Sequence, residues 1–84
     1  MHERALMNDL MRKIESESAG ARVMCVRVRL GALSHFTPEH FREHFEDASR
    51  GTVAEGARVE AELRSDPTEA AAQGVVLVSL DVAT

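Results

Sequence analysis

Residues 22–30 read RVMCVRVRL. Apolar and charged side chains alternate here with period two, the period of a β-strand that buries one face. Met24, Val26, Val28 and Leu30 point one way, and Arg27 and Arg29 the other. Gly31 breaks the pattern, and a helix start follows. Thr37-Pro38-Glu39 puts Thr at the N-cap, Pro at the first helical position and an acid in the first turn. That helix runs to Ser49 or Arg50 and stops at Gly51, with Phe41, Phe45 and Ala48 as its buried stripe. After a turn at Glu55-Gly56, residues 57–63, ARVEAEL, alternate again. Strand, helix and strand in this order favour a right-handed crossover between parallel neighbours.

Working outward, residues 3–18 form an amphipathic helix on Leu6, Met7, Leu10, Met11 and Ile14, closed by Ser18-Ala19-Gly20. Residues 65–74, SDPTEAAAQG, read as a connector. Residues 75–82, VVLVSLDV, form a third strand with Val76, Val78, Leu80 and Val82 on the core face. The last two strands can pair as a hairpin. The order α-β-α-β-β predicts an α+β fold, two helices packed on one face of a three-stranded mixed β-sheet. The other face shows Arg27, Arg29, Arg58, Glu60, Glu62 and Asp81 to water, with cross-strand ion pairs that are each worth little.

Eighty-four residues make one domain. The net charge of −4 argues against non-specific nucleic-acid binding and against a basic membrane-surface patch. Cys25 is the one cysteine, so neither an internal disulfide nor a four-cysteine zinc site can form within the chain. In a Val-rich strand it reads as a small buried hydrophobe rather than a nucleophile. No apolar run approaches the roughly 20 residues of a membrane span. The N-terminus lacks the zones of a signal peptide, so the cytoplasm is the expected location.

Four histidines carry the candidate chemistry. His2 stands beside the chain's own amine, and so large a second residue should leave Met1 in place. The amine of Met1, the amide nitrogen and imidazole of His2, and the amide or carboxylate of Glu3 can then surround one ion. Such planar, nitrogen-rich coordination favours Ni(II) or Cu(II) over Zn(II). It displaces amide protons, so affinity should rise with pH. A plain surface histidine is the alternative reading. His40 and His44 are four apart on one helix face, a metal-ligand spacing. They do not make an HExxH motif, and His44 also borders Phe41 and Phe45, where it can simply cap the core edge. His35, in the loop before the helix, is a lesser candidate ligand. No Ser/His/Asp order, phosphate loop or dinucleotide fingerprint appears, and nothing argues for an enzyme. A metallo-hydrolase on His40 and His44 lacks a third ligand.

The stretches MHERALM (1–7), VRVRLGALS (26–34), TPEHFREHFE (37–46), SRGTVAEGARVEAEL (49–63) and VVLVSLDV (75–82) resemble the HypA/HybF family of hydrogenase nickel-incorporation proteins. The resemblance runs nearly the length of the chain, in order. It implies a nickel-binding domain of two helices on a three-stranded sheet. It implies Ni(II) bound by the amine of Met1, His2 and Glu3; His35, His40 and His44 are further candidates from their own placement in this sequence. It implies delivery of nickel to the [NiFe]-hydrogenase large subunit, with a nickel-handling GTPase as partner; some members also serve urease.

The chain departs from that pattern in three places. The family inserts a zinc module with two cysteine pairs between the last two strands; here residues 64–74 bridge the gap, and no structural zinc is expected. Thr37 stands where relatives often carry an acidic residue. His40, Glu43 and His44 stand where relatives usually show apolar or small residues. Residues 1–84 therefore read as a single nickel-binding-type domain without the zinc module. A metal-free adaptor on the same fold, binding the GTPase or a hydrogenase subunit, is the alternative. An exposed sheet edge in so small a domain can favour homodimers.

Overall fold

The computed structural model describes residues 2–34, 36–66, 68 and 74–83, and for His2 and Glu3 the backbone alone. The elements are α1 (His2–Ser18), β1 (Val23–Leu30), α2 (Pro38–Ser49), β2 (Arg58–Leu63) and β3 (Val75–Val82). The fold is α+β, as the alternation and the helix signals predict. The sheet order is β2-β1-β3, with β1 parallel to β2 and antiparallel to β3. The sheet is therefore mixed.

The pairing of the last strand differs from the hairpin expected. β3 does not lie beside β2 but on the other side of β1. The connector between β2 and β3 is far longer than the two to five residues that close a hairpin. Sending β3 to the far edge places β1, the most deeply buried strand, in the middle. Backbone bonds from Gly31 N to the Gly74 carbonyl (3.0 Å) and from Ala83 N to the Arg22 carbonyl (2.8 Å) extend the β1–β3 pairing at both ends.

Both helices cover one face of the sheet. Met7, Leu10, Met11 and Ile14 of α1 meet Phe41 and Phe45 of α2 over Val23, Val26, Val28 and Leu30 of β1. Burying each of the larger side chains contributes about 1.5–3 kcal/mol. The buried stripe of α2 is Phe41, Phe45 and Ser49, with Ala48 half-buried at its border. Ser49 satisfies its hydroxyl by donating to the Glu46 carbonyl at 3.3 Å.

The core faces of β1 and β3 differ from strict alternation. Met24 is 55% exposed, and Val23 takes its place in the core at 1%. On β3, Val75, Leu77 and Leu80 pack against the core, while Val76, Val78 and Val82 are exposed. The cause is two irregularities in the ladder. Val23 faces Val82 but Cys25 faces Asp81, which leaves Met24 without an opposite number; Arg27 faces Ser79 but Val28 faces Leu77, which leaves out Val78. Each extra residue shifts the phase of its strand by one and moves the neighbouring side chains to the opposite face.

The outer face is charged, as the pattern predicts. Arg27 bonds Glu60 at 2.9 Å and Asp81 at 3.0 Å, so one guanidinium on the central strand ties both neighbours. Arg29 bonds Glu62 at 3.2 Å. Cys25 lies on this face, yet it is buried. The burial agrees with the expectation, although its neighbours on this face include Arg58 rather than the apolar cluster.

Candidate metal centre

α1 begins at His2. The first N–H groups of any α-helix have no acceptor inside the helix. The amides of His2 and Glu3 are therefore outside the ladder that holds α1 together. Replacing their protons with a metal costs the helix no internal hydrogen bond. Met1, the side chains of His2 and Glu3, and His35 lie outside the described residues.

The second group of candidates sits at the start of α2. The Thr37 side chain accepts the amide N–H of His40 at 3.1 Å, which caps the helix, and Pro38 fills the first helical position. Thr37, at the place where the resemblance leads one to look for an acid, is thus engaged in capping. The loop before it is built on Ser34, which is fully buried and donates its hydroxyl to the Gly31 carbonyl at 2.8 Å. This turn delivers Phe36, 3% exposed, to the position preceding the cap. Phe36 meets Phe41 edge-on with ring centroids 5.5 Å apart. That contact, between the residue before the cap and the fourth helical residue, is a hydrophobic staple.

Phe36 also seats the two histidines. Its ring lies 6.0 Å from His40 and 5.9 Å from His44, both edge-on. The imidazoles stack at 4.6 Å and 16°, and their Nε2 atoms stand 2.7 Å apart. The structure brings His40 and His44 together as their spacing predicts. Among the described residues no group of three His, Cys, Asp or Glu side chains is placed to hold a metal ion. The role of Phe36 was not singled out from the sequence, although an apolar residue before Thr-Pro, with another at the fourth helical position, is a legible staple signal.

Two carboxylates are shifted by their ion pairs. Asp81 is held below its ordinary carboxylate value, first by the hydrogen bond from Arg27 and also by the charges of Arg27 and Arg58. Asp9 is lowered chiefly by its hydrogen bond with Lys13, one turn further along α1. No described helix is long and apolar enough to cross a membrane.

Comparison with known proteins places these features in a family. The family model described as hydrogenase/urease nickel incorporation, metallochaperone, HypA matches residues 1–72. A hydrogenase maturation factor HypA from Methylocella silvestris is 41% identical over 66 residues, covering 75% of this chain and 58% of the relative. The same factor from Geobacter sp. strain M21 is 38% identical over 63 residues, 75% of this chain and 57% of the relative. The factor from Archaeoglobus fulgidus is 38% identical over 63 residues, 71% and 57% of the two chains. The chain thus spans under three-fifths of the length of these curated relatives. With the family model matched over most of its length, from the Met-His-Glu start through α2 and β2, the chain belongs to the HypA family of nickel-incorporation metallochaperones.

Proposed function

We propose that this chain is one nickel-binding-type domain that captures Ni(II) at its N-terminus and hands it on for maturation of [NiFe]-hydrogenase. The ligands are the amine of Met1, the amide nitrogen and imidazole of His2, and Glu3. The observation that carries this reading is the position of His2 as the first residue of α1, within a family match that starts at residue 1. The amides needed for a planar nitrogen site are those the helix leaves without internal acceptors. Nitrogen-rich planar coordination selects Ni(II) and Cu(II) over Zn(II).

The role is capture and handover, without catalysis. The partners are a nickel-handling GTPase and the hydrogenase large subunit; urease is a second destination within the family's description. The setting is cytoplasmic. The zinc module of two cysteine pairs has no counterpart in these residues, whose single cysteine is buried in β1. Residues 64–74, the stretch proposed to bridge its place, lie partly outside the described residues.

The test is Ni(II) calorimetry on protein with an authentic N-terminus, beside protein carrying one extra residue before Met1 and beside His2→Ala. Binding that is lost in both altered proteins supports the reading. Ni(II) affinity unchanged by His2→Ala sinks it. One observation favours the adaptor instead: Thr37 caps α2 where the resemblance suggests an acid beside the metal. If the authentic protein takes up no nickel yet binds the GTPase in the presence of chelator, the adaptor reading replaces the chaperone.

A further inference from the structure

We propose that His40 and His44 form a second cation site on the surface of α2, selective for Ni(II) or Cu(II) over Zn(II) and independent of the N-terminus. The two Nε2 atoms are 2.7 Å apart on adjacent turns of one helix. At a metal–nitrogen distance of about 2.0–2.1 Å, a right-angled ligand pair stands about 2.9 Å apart and a tetrahedral pair about 3.3 Å. The observed separation is closer to the right-angled spacing than to the tetrahedral one. Square or octahedral positions belong to Ni(II) and Cu(II), and tetrahedral ones to Zn(II).

The pair is held ready by its surroundings. Phe36 sets its buried ring edge-on to both imidazoles. The imidazole planes are 16° apart, so binding one ion turns the rings until both Nε2 lone pairs converge on it. The helix is acidic: residues 38–49 carry Glu39, Glu43, Glu46 and Asp47 against Arg42 alone. The Arg42 guanidinium group is turned to β2, where Nε donates to the Val59 carbonyl at 3.4 Å. That balance draws a dication to this face.

Without metal, the two Nε2 atoms share a hydrogen bond whose direction is set by the tautomers. With metal, both Nε2 lone pairs face the ion and neither Nε2 carries a hydrogen. Two protein ligands leave the other positions to water or an incoming ligand, so a bound ion stays exchangeable.

The test uses the full chain with His2→Ala, which disables the N-terminal site, titrated with nickel sulfate and separately with zinc sulfate. The expected result is one Ni(II) per chain, weaker Zn(II), and loss of the Ni(II) equivalent in His2→Ala/His40→Gln and in His2→Ala/His44→Gln. Unchanged circular dichroism shows that the fold is kept. No Ni(II) uptake by His2→Ala, survival of its equivalent in both glutamine variants, or a preference for Zn(II) overturns the proposal. Failure of the N-terminal site is read separately, as no difference between wild type and His2→Ala.

Discussion

Met24 on β1 and Val78 on β3 each stand outside the ladder that joins those strands, and their two offsets cancel. Val23 opposite Val82 and Leu30 opposite Val75 keep one register, while the stretch from Cys25 to Arg27 is displaced by one residue. The displaced stretch carries Arg27 to Ser79 and sets Asp81 beside the guanidinium. The ion-pair pattern of the outer face thus depends on both bulges.

The bulge at Val78 decides which residues of β3 are structural. Leu77 packs against the core, whereas Val78 is 47% exposed. Leu77→Ala should cost about 2 kcal/mol, the low end for a leucine truncation because the side chain is half-buried. Val78→Thr should stay within about 0.5 kcal/mol of wild type. Urea denaturation of the two variants checks the register; the reverse order of effects would place Val78 inside.

Strict alternation in VVLVSLDV points to Val76 and Val78 as core, and this is where the sequence misleads. A bulge inserts one residue without any change in hydrophobicity, and a run of valines offers both phases equally. Elsewhere the local chemistry was explicit. Thr37-Pro38 marks the start of α2, Gly51 lies beyond its end, and the spacing of His40 and His44 predicts their meeting. The partner of β3 was not legible, because strand adjacency depends on where a long connector travels. Phe36 could have been found from the staple pattern.

Acid should weaken the outer face through Asp81. Its carboxyl has a native value below the ordinary 3.8, chiefly because Arg27 bonds the charged form. A depressed native value adds stability above the unfolded value, and the gain is lost as pH falls through the native one. Asp81→Asn should therefore lower the urea midpoint near neutral pH, and the gap to wild type should close well below 3.8. The pair is exposed, so the effect should be small. A gap that persists in acid would assign the loss to packing.

Among the described residues, Ala19 is the non-glycine residue with a positive φ. It closes α1 with φ of 52°, the left-handed region, directly before Gly20 at 87°. That conformation costs an L-residue about 1–2 kcal/mol, while glycine adds about 0.4–1 kcal/mol of unfolded-state entropy. Ala19→Gly should gain about 0.5–1 kcal/mol net and raise Tm by several degrees. Calorimetric unfolding measures it, and a lower Tm would deny the strain.

Thr37 acts through its oxygen. Thr37→Ala removes the acceptor for the His40 amide and should cost about 1 kcal/mol. Thr37→Asp keeps an acceptor and adds a negative charge at the positive end of α2, so stability should hold or rise by a few tenths of a kcal/mol. Equal losses in the two variants would show that the threonine methyl group, and not the cap, is what matters.

The two proposed nickel sites should differ in the protons they release. An amine is largely protonated near neutral pH, and a ligating amide must give up its proton entirely. Capture by the Met1 amine and the His2 amide, with the Glu3 carboxylate as the last ligand, should therefore release about two protons per Ni(II) near neutral pH, and affinity should climb with pH. Binding at His40 and His44 engages no amine and no backbone amide and should release fewer. Calorimetry in buffers of different ionisation enthalpy counts these protons directly. About two in wild type and few in His2→Ala would assign the first equivalent to the terminus. A wild-type count well below one would mean that side chains alone hold the ion, and the amide site would have to be abandoned.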